Sequence, residues 1–574
     1  MRLELLPTGA RPLPEAADCR VLVVANACQT VDETLDQFKF GAVDPGLLER
    51  NNAAYLDLYR RMIPEIDGER REIVDAINHL RRTGVGGGSI DEHNSYSLNG
   101  VYLYDFLRRS GYDGRVDLVD NIDLDPARAR ELVADADVVL LSTTFITSAS
   151  TIIRVARLVK SWKPRVIVIA GGAKLTQFSE EEEIHGAARA ADALILSPNG
   201  ERTLLEVMGR LVRGEPIDDV PNVAYDADGF RCTTRNLHDG VDIDANSVHW
   251  DELPDYILRS SVNIRTGRGC PFKCKFCTFP SYNDQSVDLM DQDTVIHQLR
   301  QIMRLPQVRS VRFVDDTLFL NRKHLISVCQ QMIDIGFDKP WTAYLRSSTL
   351  TEECVRYLSQ AGCRLVLVGV ESADETVLSN MVKGTRERHN WEAAANLAAH
   401  GVMGFAFMLV GFPGETTASV DKSIYFLNNS GIHSYVHSPL FVFPNSPLAR
   451  EAREFGLKGG FNDWSHATMS CGEAIAECGR MFEEVRQAAY IDRGSSVAKV
   501  LLDHGCTVES ASRMGVLHNE IARKQNLRED ASSTLAELAG LAAELPALTQ
   551  GVASVTTPYS RVDARLEITS PARY

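Results

Sequence analysis

The chain has 574 residues, 44% hydrophobic and 24% charged, a globular composition too long for one ordinary core, so about two to four domains are expected. Its formal charge of −16 argues against a broad nucleic-acid surface, which needs clustered Lys and Arg to displace counterions. No run of eighteen apolar residues is present and the N-terminus, MRLELLPTGARPLPEA, lacks the basic start and apolar stretch of a secretory signal, so the expectation is a soluble, cytoplasmic protein without membrane or nucleic-acid partners.

The first buried strand is expected at 21–26 (VLVVAN). A polar and helical insertion follows at about 27–95, broken most clearly at Gly86-Gly87-Gly88. From Asn99 the pattern alternates. LNGVYLYDFLRRSGY reads as a helix, RVDLVDN and ADVVLLSTTF as strands, and ASTIIRVARLVKSW as a helix. RVIVIAGG and ADALILSPNGE are further strands, followed by the helix RTLLEVMGRLV. Strands alternating with helices in this way imply a doubly wound, Rossmann-like parallel sheet over 1–210.

Residues 211–258 change character, with a hairpin in VPNVAYDADGFRC turning at Asp228-Gly229 and then a polar linker. A second series begins near 259 with NIRTG, SVRFVDD, WTAYLRS, RLVLVGVES, FAFMLVGF and SPLFVFP, separated by helices such as TVIHQLRQIM and HLISVCQQMI. Six β/α units over 259–450 suit a partial barrel, with its chemistry at the C-terminal strand ends. Residues 451–574 read as mainly helical, including ASSTLAELAGLAAEL. The whole is α/β with a helical C-terminal region.

Twelve cysteines in a chain of this size do not make a disulfide scaffold, and singles such as Cys329 and Cys363 read as small buried hydrophobes. Cys270, Cys274 and Cys277 stand apart, within eight residues of one another in RGCPFKCKFC. Three thiolates spaced x3 then x2 wrap one face of a cubic [4Fe–4S] cluster, which normally takes four. Three local ligands leave one iron open to chelate the amino and carboxylate groups of a small molecule. A zinc site would want a fourth ligand at matching spacing, and His297 is twenty residues beyond Cys277. Cys471, Cys478 and Cys506 are too few and too spread for an auxiliary cluster.

Cys-x3-Cys-x-aromatic-Cys opening a six-unit partial barrel resembles the radical S-adenosylmethionine (SAM) superfamily over about 262–450. The resemblance implies that the reduced cluster cleaves SAM to methionine and a 5′-deoxyadenosyl radical. It also implies SAM-binding roles at strand ends. Asp315 and Asp316 would meet the amino group, Arg346 the carboxylate, and Glu371 and Ser372 the ribose. The turn at Gly411 and Gly414 would lie against adenine.

In the first domain Ser142-Thr143-Thr144, Gly171-Gly172 and Asn199-Gly200-Glu201 follow successive strands, at the edge where such sheets bind ligands. A nicotinamide dinucleotide would need Gly-x-Gly-x-x-Gly after the first strand, and ANACQTVDE stands there instead. An α/β domain with these turns, directly ahead of a radical SAM barrel, is similar to the cobalamin-binding radical SAM enzymes. The resemblance spans most of 20–450 apart from the insertion. It implies that Ser142, Thr144, Gly171, Gly172, Gly200 and Glu201 hold cobalamin. The cobalt-ligating pattern Asp-x-His-x-x-Gly is incomplete, because Asp91-Glu92-His93 leads to Tyr96, so His93 reads as a loop histidine rather than a ligand. Methylases of this class commonly bind cobalamin without one.

The implied activity is that of a class B-type, cobalamin-dependent radical SAM methyltransferase. It would act on an unactivated carbon, or a phosphinate phosphorus, of a small natural-product intermediate. An external flavodoxin- or ferredoxin-like protein would donate electrons. The alternative keeps both cofactors but rearranges, contracts or cyclises the substrate without methyl transfer. The methylthiolating tRNA enzymes are set aside, since neither their extra cysteine-bearing N-terminal domain nor their basic C-terminal barrel is present.

Overall fold

The computed structural model describes residues 13–15, 18–28, 45–83, 90, 94–112, 116–146, 148–177, 181–226, 229–233, 239–279, 287–319, 321–491 and 495–545. His93 and Gly86-Gly87-Gly88 lie outside them. The chain divides into two compact units. The first comprises Met1–Gly41, Tyr96–Arg259 and Ser281–Ile302, and the second Ala42–Ser95, Ser260–Pro280 and Met303–Tyr574.

The first unit is built on five parallel strands: β1 (Val21–Asn26), β2 (Val116–Asn121), β3 (Val138–Ser142), β4 (Ile167–Gly171) and β5 (Ala193–Ile195). Their spatial order is β2-β1-β3-β4-β5, with Val21 aligned to both Val116 and Val138. VLVVAN is almost wholly buried, which a parallel strand covered on both faces requires. Helix Leu98–Leu107 lies close on β1, since a Cβ on Gly100 would come within 2.4 Å of the Ala25 methyl. The hairpin, expected as part of a separate linker, extends the same sheet. β6 (Val223–Asp226) runs antiparallel to β5, and β7 (Phe230–Cys232) runs antiparallel to β6. Gly229 at its turn has φ of 122°, and Asp228 lies outside the described residues.

The second unit holds the expected partial barrel. β8 (Ser261–Ile264), β9 (Ser310–Phe313), β10 (Trp341–Leu345), β11 (Cys363–Glu371), β12 (Met403–Val410) and β13 (Ser434–Pro439) pair in sequence order, all parallel. A seventh strand, β14 (Ala489–Tyr490), adds in parallel to β13. It comes from the region expected to be helical, which otherwise supplies helices Cys471–Glu484, Ser495–Asp503, Val508–Asn526 and Ser532–Glu544.

The insertion departs from the expected domain boundaries. Its residues 42–95 fold with the second unit, not the first. Ile73, Val74 and Ile77 share a core with Phe405, Leu501, Met514 and Leu538. Arg81, buried, donates to the Ala542 and Leu545 carbonyls at 3.2 Å each. An apolar helical face has to be covered by something, and here much of the cover, Leu501, Met514 and Leu538, lies more than 400 residues downstream. Residues 281–302, including most of a helix assigned to the barrel series, group instead with the first unit. Buried Trp250 donates from its indole to Gln298 at 3.1 Å, and Gln301 donates to Asp251 at 2.7 Å.

Candidate active site

The cluster loop leaves β8 and is pinned by two acids at the end of β9. Asp315 Oδ1 accepts from the backbone and hydroxyl of Thr266 at 2.7 and 2.9 Å. Asp316 accepts from the Gly269 amide at 3.1 Å, where φ of 87° suits glycine. Further along, the Lys275 amide donates to the Met381 carbonyl at 2.9 Å, the Leu448 amide donates to the Lys275 carbonyl at 2.9 Å, and the Lys275 ammonium pairs with Glu451. The backbone of a short loop is thereby held in a fixed curl.

Cys274 is buried, and Cys270 and Cys277 are partly so. Burial pushes the Cys270 thiol up, Cys274 and Asp316 add to this, and the Phe272 amide and Arg346 oppose it. Burial also pushes Cys277 well above the ordinary thiol value, with Cys274 and Cys270 contributing. The three sulfurs therefore feel one another. Among the described residues no three His, Cys, Asp or Glu converge on a single ion. A cubane instead takes each thiolate on a different iron, and metal binding would displace the protons that burial retains. The cysteines fit a cluster.

The remaining barrel candidates surround this loop unequally. The Arg346 guanidinium lies 3.6 Å from the centre of the Phe272 ring and its Nη1 is 3.9 Å from Cys274 Sγ. Its Nη2 donates to the Lys383 carbonyl and, at 3.4 Å, to Thr385 Oγ1. Glu371 ends β11 with φ of 63°, a costly conformation for a residue other than glycine. Its Oε1 is 2.8 Å from the buried Lys383 ammonium. Ser372 is fully buried; its hydroxyl accepts from the Asp374 amide at 3.2 Å, and this local turn occupies it. Gly411 and Gly414 have positive φ values and are closely approached by protein side chains. A Cβ at Gly411 would meet Trp464 and Ala474 within 2.8 Å, and one at Gly414 would meet Asn380 at 2.4 Å.

Sequence reasoning missed Lys383. Its carbonyl takes Arg346, its ammonium takes Glu371 and sits 5.6 Å over the Phe276 ring, so it joins two expected SAM contacts to the cluster loop. Glu415 was missed too. Buried, it accepts from the Gly411 amide, and burial, partly offset by the Gly411 and Phe412 amides, pushes its carboxyl up to about 8. Both lie in turns without apolar periodicity. Three buried polar atoms at these strand ends make no hydrogen bond among the described residues: Asp315 Oδ2, Glu371 Oε2 and Arg346 Nε. Two acceptors and a donor left so are costly unless a ligand serves them, and SAM carries an ammonium, hydroxyls and a carboxylate to do so.

The first unit's candidates gather at the C-terminal ends of β3, β4 and β5. Buried Ser142 accepts from Asn99 Nδ2 at 2.6 Å and lies 3.3 Å from Thr144 Oγ1. The Thr143 amide donates to the Gly171 carbonyl at 2.8 Å. A Cβ on Gly172, where φ is 134°, would come within 3.0 Å of Thr143 Oγ1, a buried hydroxyl without a partner. Gly171 and Gly200 make room for Ile195, at 3.2 and 2.4 Å from their virtual Cβ positions. Glu201 is buried in the first turn of helix Glu201–Arg213. Lys174, also buried, is drawn down to about 8 by desolvation. Because β2 and β3 flank β1 on opposite sides, the chain reverses its winding there, which opens a crevice at this edge.

A model of the radical SAM superfamily matches residues 264–427. These residues form a radical SAM domain. An uncharacterized methyltransferase of Pyrococcus horikoshii is 27% identical over 335 residues, covering 57% of this chain and 72% of that protein. The radical SAM methyltransferase TsrM of Kitasatospora setae, solved with tryptophan and a SAM analogue, superposes with a TM-score of 0.59. It is 15% identical, covering 75% of this chain and 97% of that one. The cobalamin-dependent SAM radical enzyme OxsB, solved with aqua-cobalamin and SAM, gives a TM-score of 0.53 at 13% identity, with 89% and 93% covered. At such identities the likeness is one of fold.

Proposed function

We propose that this chain is a cobalamin-dependent radical SAM methyltransferase acting on a small-molecule substrate at an unactivated carbon or a phosphinate phosphorus. The observation that carries the reading is the barrel mouth, where a three-cysteine loop is ringed by buried polar atoms that lack protein partners. The crevice of the preceding β2-β1-β3-β4-β5 sheet, with the Thr143 hydroxyl and the Gly172 turn, supports a corrin there. When bound, the cluster and SAM supply a radical and cobalamin a methyl carrier.

The chain's own residues bind and orient. Cys270, Cys274 and Cys277 hold three irons. Asp315 and Glu371 offer acceptors to the SAM ammonium and ribose, Arg346 offers a donor to the carboxylate, and Lys383 positions both Arg346 and Glu371. An external flavodoxin- or ferredoxin-like protein supplies electrons in this reading. We place the enzyme in the reducing cytoplasm, where such thiols stay available. Among the described residues no helix is long and apolar enough to cross a membrane.

The test is SAM labelled in its methyl group, given anaerobically to the reconstituted enzyme with reductant and a pool of small acidic metabolites. The expected result is 5′-deoxyadenosine together with label in a product other than methionine. Label in methionine alone, with 5′-deoxyadenosine still formed, would replace methyl transfer by rearrangement or cyclisation.

A further inference from the structure

The turn that follows β12 is gripped by a segment from well outside the barrel series, WSHAT at 464–468. Its histidine, His466, stands 55 residues beyond Gly411 in the chain. Trp464 is fully buried and donates from its indole to the Leu440 carbonyl at 2.7 Å. It fills the space that a side chain on Gly411 would need, approaching that position to 2.5 Å. The His466 ring lies nearly parallel to the indole, at 4° with centres 5.3 Å apart.

His466 and Thr468 close a ring of hydrogen bonds on both ends of the turn. The Gly411 carbonyl can only accept, so His466 Nε2 carries the proton and donates to it at 2.9 Å. That tautomer leaves Nδ1 as an acceptor, and the Thr468 amide and hydroxyl reach it at 3.3 and 3.1 Å. The same hydroxyl oxygen accepts from the Gly414 amide at 3.2 Å. Only a neutral imidazole can donate at one nitrogen and accept at the other. Burial lowers the ring's pKa and so favours that form, with the Gly411 carbonyl and Glu473 opposing. From the other side Glu415 accepts from the Gly411 amide, its own amide donates to the Phe412 carbonyl at 2.8 Å, and Asn380 donates to the Pro413 carbonyl at 3.0 Å. With its backbone engaged in this way, the turn presents a fixed surface to a ligand.

We propose that His466, acting with Thr468 and backed by Trp464, is a positioning residue for SAM: it holds the Gly411–Gly414 turn as a preformed wall for the adenine. The segment that follows the barrel thereby sets the affinity for the nucleoside end of SAM, while the cluster loop takes the amino-acid end. A wall ordered before SAM arrives spares the freedom that a slack turn would lose on binding. The sheet register agrees with this placement. Glu371 pairs with Met408, so the turn stands at the same end of the barrel as the Glu371 carboxylate. The inference rests on the SAM site of the proposed function.

The test is equilibrium dialysis of labelled SAM against the anaerobic full-length holoenzyme with its cluster oxidised, so that nothing turns over. His466→Phe keeps a ring on Trp464 but removes the bonds to Gly411 and Thr468, and should weaken SAM about fivefold or more, the size of an ordinary hydrogen bond. His466→Gln, whose amide can still donate to Gly411 and accept from Thr468, should recover most of that loss. Thr468→Val, at an exposed position that leaves the core untouched, should weaken SAM by about two- to threefold. The competition constant of 5′-deoxyadenosine should rise in step with that of SAM in His466→Phe, whereas methionine, which lacks the base, should compete no differently than with wild type. Unchanged SAM affinity in either His466→Phe or Thr468→Val, no recovery in His466→Gln, or a methionine constant that rises as much as that of 5′-deoxyadenosine would overturn the assignment. If wild-type holoenzyme binds no SAM and forms no 5′-deoxyadenosine with dithionite, the failure belongs to the proposed function.

Discussion

The mouth of the barrel and the ligand edge of the first sheet are built on opposite principles. At the sheet edge, close packing does most of the work: Gly171 and Gly200 are small because Ile195 stands beside them, and Ser142 is already bonded to Asn99. At the barrel mouth, charged groups are buried in numbers and several of their atoms have no protein partner. The first arrangement shapes a crevice for a large ligand by removing side chains. The second holds costly polar groups ready for a ligand that repays their desolvation. The difference tells where the chemistry is concentrated.

The most severe way to test that contrast is to replace Cys270, Cys274 and Cys277 together by alanine. Iron content and SAM cleavage should both be lost, while corrin uptake, followed by its absorption bands, should persist because the first unit is untouched. Loss of both cofactors at once would show that the two regions are not separable in this way.

A smaller effect is expected from the Glu371–Lys383 pair. Each carboxylate or ammonium left alone in that buried site should cost about 3–5 kcal/mol, so Glu371→Gln and Lys383→Met should each lower the denaturant midpoint. The double variant should be less destabilised than the two changes summed, because it leaves no unpaired charge. SAM affinity should fall in all three. Strict additivity in the cycle would remove Lys383 as a positioning residue.

The smallest effect is a slope. The Glu415 carboxyl, pushed up to about 8 from 4.5, keeps its proton in the folded chain where the unfolded chain has lost it. The folded state then binds more protons between those values, so this group makes stability fall as pH rises from 4.5 to 8. Lys174 at the sheet edge, drawn down to about 8, stays largely charged in both states over most of that window and adds little. Glu415→Gln should therefore flatten the decline in melting temperature across it. An unchanged profile would mean that Glu415 does not govern it, leaving Asp315 and Asp316, which burial raises to about 6 and about 7, as the groups that could.

Much of this was legible in the sequence because the signals were periodic or local. Five apolar runs separated by helices announced the first sheet, and six more announced β8 to β13. Eight contiguous residues carried the three cysteines read as cluster ligands. What escaped had no such signature. β14 is two residues long and is a strand only because β13 offers it an edge. Helix Ile73–Thr83 looks like part of the first domain until its apolar face is seen against Phe405 and Met514. Lys383, in the turn MVKGT, is one lysine among many until Glu371 and Arg346 are brought to it. The glycines at 171 and 200, expected as cofactor contacts, also stand close against Ile195, a neighbour that only the fold brings to them.

The interleaving of the two units has a consequence for how the enzyme is made. The chain passes from one to the other five times, so no cut yields either unit whole. Arg81 must wait for acceptors 461 and 464 residues later, on the order of tens of seconds at the pace of a ribosome. Through most of that interval the apolar side of its helix lacks the part of its cover supplied by Leu501, Met514 and Leu538.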